Sequence, residues 1–167
     1  KTSQGFIDRF LVASEMYHVP SILLFNKLDL YKEKDLARFE ELKEMYEAIG
    51  YTVLGISLKK EPFAEPVKSL LKDKVTLISG HSGVGKSTFI NSIYPGLKVR
   101  TQDVSGWSGK GQHTTTFAEM YDLPFGGQII DTPGMREFGL VGLTRTELSG
   151  YFPEMRERLN DCQFNNC

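Results

Sequence analysis

The chain has 167 residues, 40% of them apolar and 25% charged, which is the balance of one soluble α/β domain with a short appendage. A net charge of −1 excludes a strong overall positive field, so any RNA contact has to be local or made elsewhere. No apolar run approaches the roughly 20 residues of a membrane span, and Lys1-Thr2-Ser3-Gln4-Gly5 has no signal-peptide pattern. The expectation is therefore a cytoplasmic protein without a membrane partner.

Along the chain, apolar residues at Phe6, Phe10, Leu11 and Met16 predict a helix over 5–17, stopped by Pro20. Ser21 to Phe25 is a short apolar run of the buried-strand kind. Residues 33–49 are highly charged, with Leu36, Phe39, Leu42, Met45, Tyr46 and Ile49 at helical spacing, and Gly50 is placed to end that helix. Tyr51 to Ile56 reads as a strand, 63–72 as a helix and Val75 to Ile78 as another strand, with a further helix from Ser87 to Tyr94. Residues 96–115, rich in Gly, Ser and Thr, are expected to form a mobile loop. Phe117 to Leu123 and Gln128 to Asp131 read as strands joined by Pro124-Phe125-Gly126-Gly127. Thr144 to Phe152 is expected to be helical, with Thr144 and Glu147 as a capping box. Strands alternating with helices predict a mostly parallel sheet covered on both faces, an α/β fold.

Three motifs carry chemistry. Gly80-His81-Ser82-Gly83-Val84-Gly85-Lys86-Ser87, with Thr88 directly after, lies between a predicted strand and a predicted helix. That is the setting of a phosphate-binding loop: backbone N–H groups converge at a helix N-terminus, where the dipole favours anions. Lys86 is expected to reach the β- and γ-phosphates and the Ser87 hydroxyl to ligate Mg²⁺. Asp131-Thr132-Pro133-Gly134 ends a strand, where Asp131 suits a Mg²⁺-bound water and the Gly134 N–H a γ-phosphate. Asn26-Lys27-Leu28-Asp29 also sits at a strand end, where α/β folds place ligands. The Asp29 carboxylate can accept from both the ring N–H and the exocyclic amine of guanine, a pairing adenine cannot offer. Ser57 and Leu58, within Gly55-Ile56-Ser57-Leu58-Lys59, are a looser match to a second guanine element.

The order of these motifs is inverted: the guanine element precedes the phosphate loop, which implies one nucleotide site built from a circularly permuted chain. His113-Thr114-Thr115-Thr116 ends the Gly-rich loop. A threonine there would complete Mg²⁺ coordination, with Thr115 preferred among the three, and His113 reads either as a γ-phosphate neighbour or as a loop histidine. Met135 occupies the position where many GTPases carry a water-orienting glutamine, and a thioether cannot do that work. Slow intrinsic hydrolysis is expected. Cys162 and Cys167 read by themselves as free thiols, or as half of a zinc site that needs four ligands.

Taken together, these motifs and their order resemble the circularly permuted GTPases. They are most similar to the small-ribosomal-subunit-dependent GTPase A family of bacterial ribosome-assembly factors. The resemblance runs through Thr2-Ser3-Gln4-Gly5-Phe6-Ile7-Asp8-Arg9, Gly111 to Thr116, and Asp131-Thr132-Pro133-Gly134-Met135-Arg136-Glu137-Phe138. It implies a three-layer phosphate-loop GTPase sandwich with permuted strand order over 1–152. It implies too that 153–167 starts a C-terminal zinc domain, whose first two ligands are Cys162 and Cys167, and that an OB-fold precedes residue 1 in complete members. The function it implies is GTP hydrolysis to GDP with Mg²⁺, assisting late maturation of the small ribosomal subunit as a monomer. Contact with the subunit and its rRNA would then be made mainly through the domains outside this chain, and Zn²⁺ is expected in the full-length protein rather than here. A GTP-dependent binding module with negligible turnover, and a permuted GTPase of the large subunit, are the alternatives.

Overall fold

The computed structural model describes residues 2–58, 65–97, 117–135, 138–161 and 163. The expected mobile loop from residue 98 onward, His113 and Thr115 within it, and Cys162 and Cys167 lie outside the described residues. The chain divides into two compact units, 1–55 with 137–167, and 56–136.

In the first unit, α1 (Gln4–Met16) starts at Ser3, whose hydroxyl accepts the Phe6 N–H at 3.3 Å, satisfying one of the free donors of the first turn. α1 buries Phe6, Leu11 and Val12. After β1 (Ile22–Asn26) a 3₁₀ turn spans Leu28–Leu30, and α2 (Glu33–Ala48) ends at Gly50, which has φ 96°. β2 (Thr52–Ile56) pairs with β1 in a two-stranded sheet. The core is Leu11, Phe39, Tyr46, Tyr51 and Val53, with Leu23, Phe25 and Leu28 packed against it. Both buried phenols are satisfied by carboxylates of α1: Tyr46 donates to Asp8 at 2.6 Å and Tyr51 to Glu15 at 3.2 Å.

The buried-strand expectation for 21–25 holds for alternate residues only. Leu23 and Phe25 face the core, whereas Ile22 and Leu24 are exposed. A strand's side chains alternate between faces, and one face of this pair is covered.

The C-terminal stretch belongs to the same unit. Arg9 Nε donates to the Phe138 carbonyl at 2.9 Å, and the Phe138 ring meets Phe6 and Phe10 at centroid distances of 6.4 and 5.3 Å. The helix expected over 144–152 is instead a turn, a 3₁₀ segment at Leu148–Tyr151 and a short α5 (Pro153–Arg156). Glu147 does reach back to the Thr144 N–H, at 3.0 Å, as a capping box requires. The Thr144 hydroxyl, however, donates to that same carboxylate at 2.6 Å, holding Glu147 below the usual carboxylate range. With the hydroxyl so engaged, Gly150 disfavouring helix and Pro153 closing the stretch, no regular α-helix propagates.

The second unit holds α3 (Glu65–Leu71), β3 (Val75–Ile78), α4 (Lys86–Ile93), β4 (Glu119–Asp122) and β5 (Gln128–Asp131). The strand order is β3-β5-β4, with β3 parallel and β4 antiparallel to β5. The β4–β5 hairpin closes with Leu123 N–H to Gly127 O at 2.9 Å. Gly127 has φ 89°, and a Cβ there would lie 2.6 Å from the Leu71 carbonyl oxygen, so the turn needs glycine. Ile90 of α4 and Ile129 of β5 are fully buried together with Phe89 and Ile93. On the other face Leu77, Ile130 and Met120 stand in one registered row, and Leu77 and Met120 are exposed, as is Val75. The register sets Ile78 beside Asp131, so the β3 and β5 strands end at the same level and hand their following loops to one place.

Candidate nucleotide site

The phosphate loop grows from the end of β3. Gly83 and Gly85 take φ values of 77° and 105°, left-handed backbone that a side chain would strain, and Gly85 directly precedes α4. Its carbonyl accepts the Phe89 N–H at 2.8 Å, starting the helix whose N-terminus faces the loop. Lys86 is half-buried and turns back over the loop, with Nζ donating to the Gly80 carbonyl at 3.0 Å and the His81 carbonyl at 3.3 Å. Burial lowers its pKa, and the nearby Asp131 carboxylate opposes that shift. The loop thus holds a partly desolvated cation, which an arriving polyphosphate would stabilise. Ser82, Gly83 and Thr88 are exposed, and Val84 and Ser87 half-buried.

The segment after β5 packs against this loop. Asp131 is 1% exposed, a buried carboxylate registered between Ile78 and Glu119 and near enough to Lys86 to favour that lysine's charged form. Thr132 donates its hydroxyl to the Ile78 carbonyl at 2.7 Å, tying the two strand ends together. Gly134 sits so close to the loop that a Cβ would stand 2.8 Å from Ser82 Cα and 3.0 Å from Ser82 N. Met135 then forms a parallel bridge with His81: its N–H donates to the Gly80 carbonyl at 3.2 Å, and its own carbonyl faces His81 Nδ1 at 2.9 Å. The Met135 thioether accepts from the Ser79 hydroxyl at 3.9 Å. Of the residues read from sequence, the structure brings Gly80, His81, Ser82, Lys86, Asp131 and Gly134 into this one cluster.

The guanine motif belongs to the first unit. Lys27 has φ 69°, an unusual backbone for a residue with a side chain, and Asn26 Oδ1 accepts the Lys27 N–H at 2.7 Å. Asn26 therefore shapes its own turn. Leu30 N–H to Lys27 O, at 2.9 Å, continues it into the 3₁₀ segment that carries a half-buried Asp29. Leu28 is packed against the core. Gly55 makes room for it: a Cβ there would lie 2.4 Å from Leu28 Cδ1 and 2.8 Å from Phe39 Cζ. Ser57 and Leu58, just past β2 and half-buried, fall in the second unit.

Ser79, Thr132 and the imidazole of His81 were not singled out as side chains by sequence reasoning. The only sequence signal for them is that each stands next to a motif glycine or aspartate. Hard oxygen donors, the Asp131 carboxylate and the Ser87 hydroxyl, are the kind Mg²⁺ prefers. No His, Cys, Asp or Glu cluster for a metal occurs among the described residues. Nor is any helix among them long and apolar enough to cross a membrane.

A family model described as RsgA GTPase matches residues 1–141. The small ribosomal subunit biogenesis GTPase RsgA of Flavobacterium psychrophilum is 50% identical over 166 residues, covering 99% of this chain and 51% of that protein. The protein of the same name from Bacteroides fragilis is 46% identical over 167 residues, covering all of this chain and 54% of its own length. This chain thus spans about half the length of these relatives. Among solved structures, YjeQ from Thermotoga maritima superposes with TM-score 0.78 at 36% identity, over 100% of this chain and 54% of that one. YloQ, described as a circularly permuted GTPase, superposes with TM-score 0.75 at 30% identity, over 100% of this chain and 52% of that one.

Proposed function

Because this chain belongs to the RsgA GTPase family, with the α/β fold of a circularly permuted phosphate-loop GTPase, we propose that it binds and hydrolyses GTP. It does so as part of a longer protein that assists maturation of the small ribosomal subunit. The observation that carries this reading is the packing of Gly134 and Met135 directly on the phosphate loop, beside Lys86 and a buried Asp131. A lysine able to neutralise phosphate charge and a glycine N–H suited to the terminal phosphate, both beside one loop, support this reading.

In this reading the loop amides and the α4 N-terminus hold the β-phosphate, and Lys86 leaves the Gly80 and His81 carbonyls to bridge the β- and γ-phosphates. The Gly134 N–H meets the γ-phosphate. Ser87, Thr115 and, through water, Asp131 are the residues that would hold Mg²⁺; that ion would neutralise charge developing on the phosphate oxygens. Asp29 reads guanine, with the Lys27 stem over the base and Ser57 and Leu58 as the second base element. Met135 offers no group to orient water, so the attacking water is positioned by His113 or by the ribosomal partner, and turnover without that partner is slow. Contacts to the subunit's rRNA come mainly from segments beyond this chain, in keeping with a net charge of −1. We take 1–152 as the GTPase domain and 153–167 as the start of a zinc-binding domain, in a monomer working in the cytoplasm. Cys162 and Cys167 supply two thiols where a structural zinc needs four ligands, so nothing in this mechanism runs through zinc.

Affinity for GTP against ATP tests the base assignment. Wild type should prefer GTP strongly, and Asp29→Asn should lose at least tenfold of that preference, since an amide cannot accept from both guanine donors. Comparable wild-type affinity for ATP would overturn it. The GTP-dependent binding module remains the second reading because Met135 stands where a catalytic glutamine would.

A further inference from the structure

The imidazole of His81 has no part in phosphate binding as read above, which uses the loop amides, Lys86 and Gly134. Yet it makes a side-chain contact between the phosphate loop and the segment after β5. A carbonyl oxygen only accepts, so the 2.9 Å contact between Nδ1 and the Met135 carbonyl fixes the proton on Nδ1. The Met135 N–H returns to the Gly80 carbonyl at 3.2 Å, closing a two-rung bridge between residues 80–81 and residue 135. Gly134, the residue inside that bridge, rests on Ser82 with no room for even a methyl group. In the reading above the Gly134 N–H meets the γ-phosphate, so its placement depends on this packing.

We propose that His81 is a positioning residue, a latch whose Nδ1–H holds the Met135 carbonyl so that Gly134 is set against the phosphate loop before nucleotide arrives. The latch acts through the backbone, so it is indifferent to the side chain at 135. A methionine at 135 therefore leaves the contact available. His81 touches neither substrate nor metal in this scheme. The energetic consequence is selective. GDP does not need the Gly134 N–H, so loss of the latch should weaken binding of a non-hydrolysable GTP analogue far more than binding of GDP.

The proposal rests on the GTP reading for its functional half and on the structure for its mechanical half, and the test separates them. In the complete protein, amide hydrogen exchange at Met135 without nucleotide should be about tenfold faster in His81→Ala than in wild type. In His81→Asn it should return most of the way, because a carboxamide N–H can donate to the same carbonyl. With nucleotide, His81→Ala should lose about five- to tenfold in GTP-analogue affinity relative to GDP, the size of one hydrogen bond, and His81→Asn should recover it. Unchanged Met135 exchange in His81→Ala would overturn the latch. So would equal losses for GDP and the GTP analogue in a variant with the wild-type melting temperature. If wild type binds no guanine nucleotide, the GTP reading fails, and the exchange measurement still decides the latch.

Discussion

At the residue scale, the site is made by a few side chains whose chemistry leaves little freedom. Lys86 is held over the loop by two carbonyls, and burial has already lowered its affinity for a proton. Tyr46 and Tyr51 do the corresponding work in the first unit, each phenol donating to a carboxylate of α1. For both, burial first and the neighbouring carboxylate next push the pKa well above the ordinary value of 10.0. Their contribution to stability is therefore complete below pH 10.0, the value in the unfolded chain, and is lost above it, where only the unfolded chain releases its protons. Urea unfolding as a function of pH should show the midpoint falling as pH rises beyond that value. Tyr46→Phe should be less stable at neutral pH but have a shallower alkaline slope; an unchanged slope would mean that the phenol is not held as described.

At the scale of elements, the decisive feature is the shared end of β3 and β5, from which the phosphate loop and the Asp131–Met135 segment leave side by side. Gly134 is the tightest point of that junction, and Gly134→Ala would have to move either its own segment or the backbone of Ser82. In the complete protein this variant should bind the small subunit equally in its GTP-analogue and GDP states, whereas wild type should favour the former. Equal affinities of wild type in both states would contradict a coupling of the γ-phosphate to subunit binding. A little further along the chain, within the first unit, Phe138 is clasped by Arg9, Phe6 and Phe10 of α1.

How much of this was legible in the sequence follows from the range of each signal. β3 and β5 have the predicted limits, because short apolar runs bounded by polar and glycine residues define them locally. The phosphate loop was legible for the same reason, as fixed spacing at a strand–helix junction. The left-handed Lys27 and the 3₁₀ turn after it were not, since they depend on Asn26 capping the next amide and on Leu28 finding a gap opened by Gly55. Nor was the His81–Met135 bridge, which joins residues brought together only by the β3–β5 register. The alternation of exposure in β1 and β3 was not legible, because an apolar run records hydrophobicity and not which face is covered.

At the scale of the whole molecule, Asn26 to Asp29 lie in one compact unit and the phosphate loop in the other, and the chain beyond Arg136 belongs to the first again. In the function proposed above, Met135 in place of a glutamine makes GTP turnover depend on the ribosomal partner. GTP turnover by the complete protein, with and without purified small ribosomal subunits, tests this most directly. Turnover should be slow alone and rise at least tenfold with small subunits, and it should show no such rise with large subunits. Turnover that is unchanged by small subunits, or raised equally by large ones, would contradict the central claim.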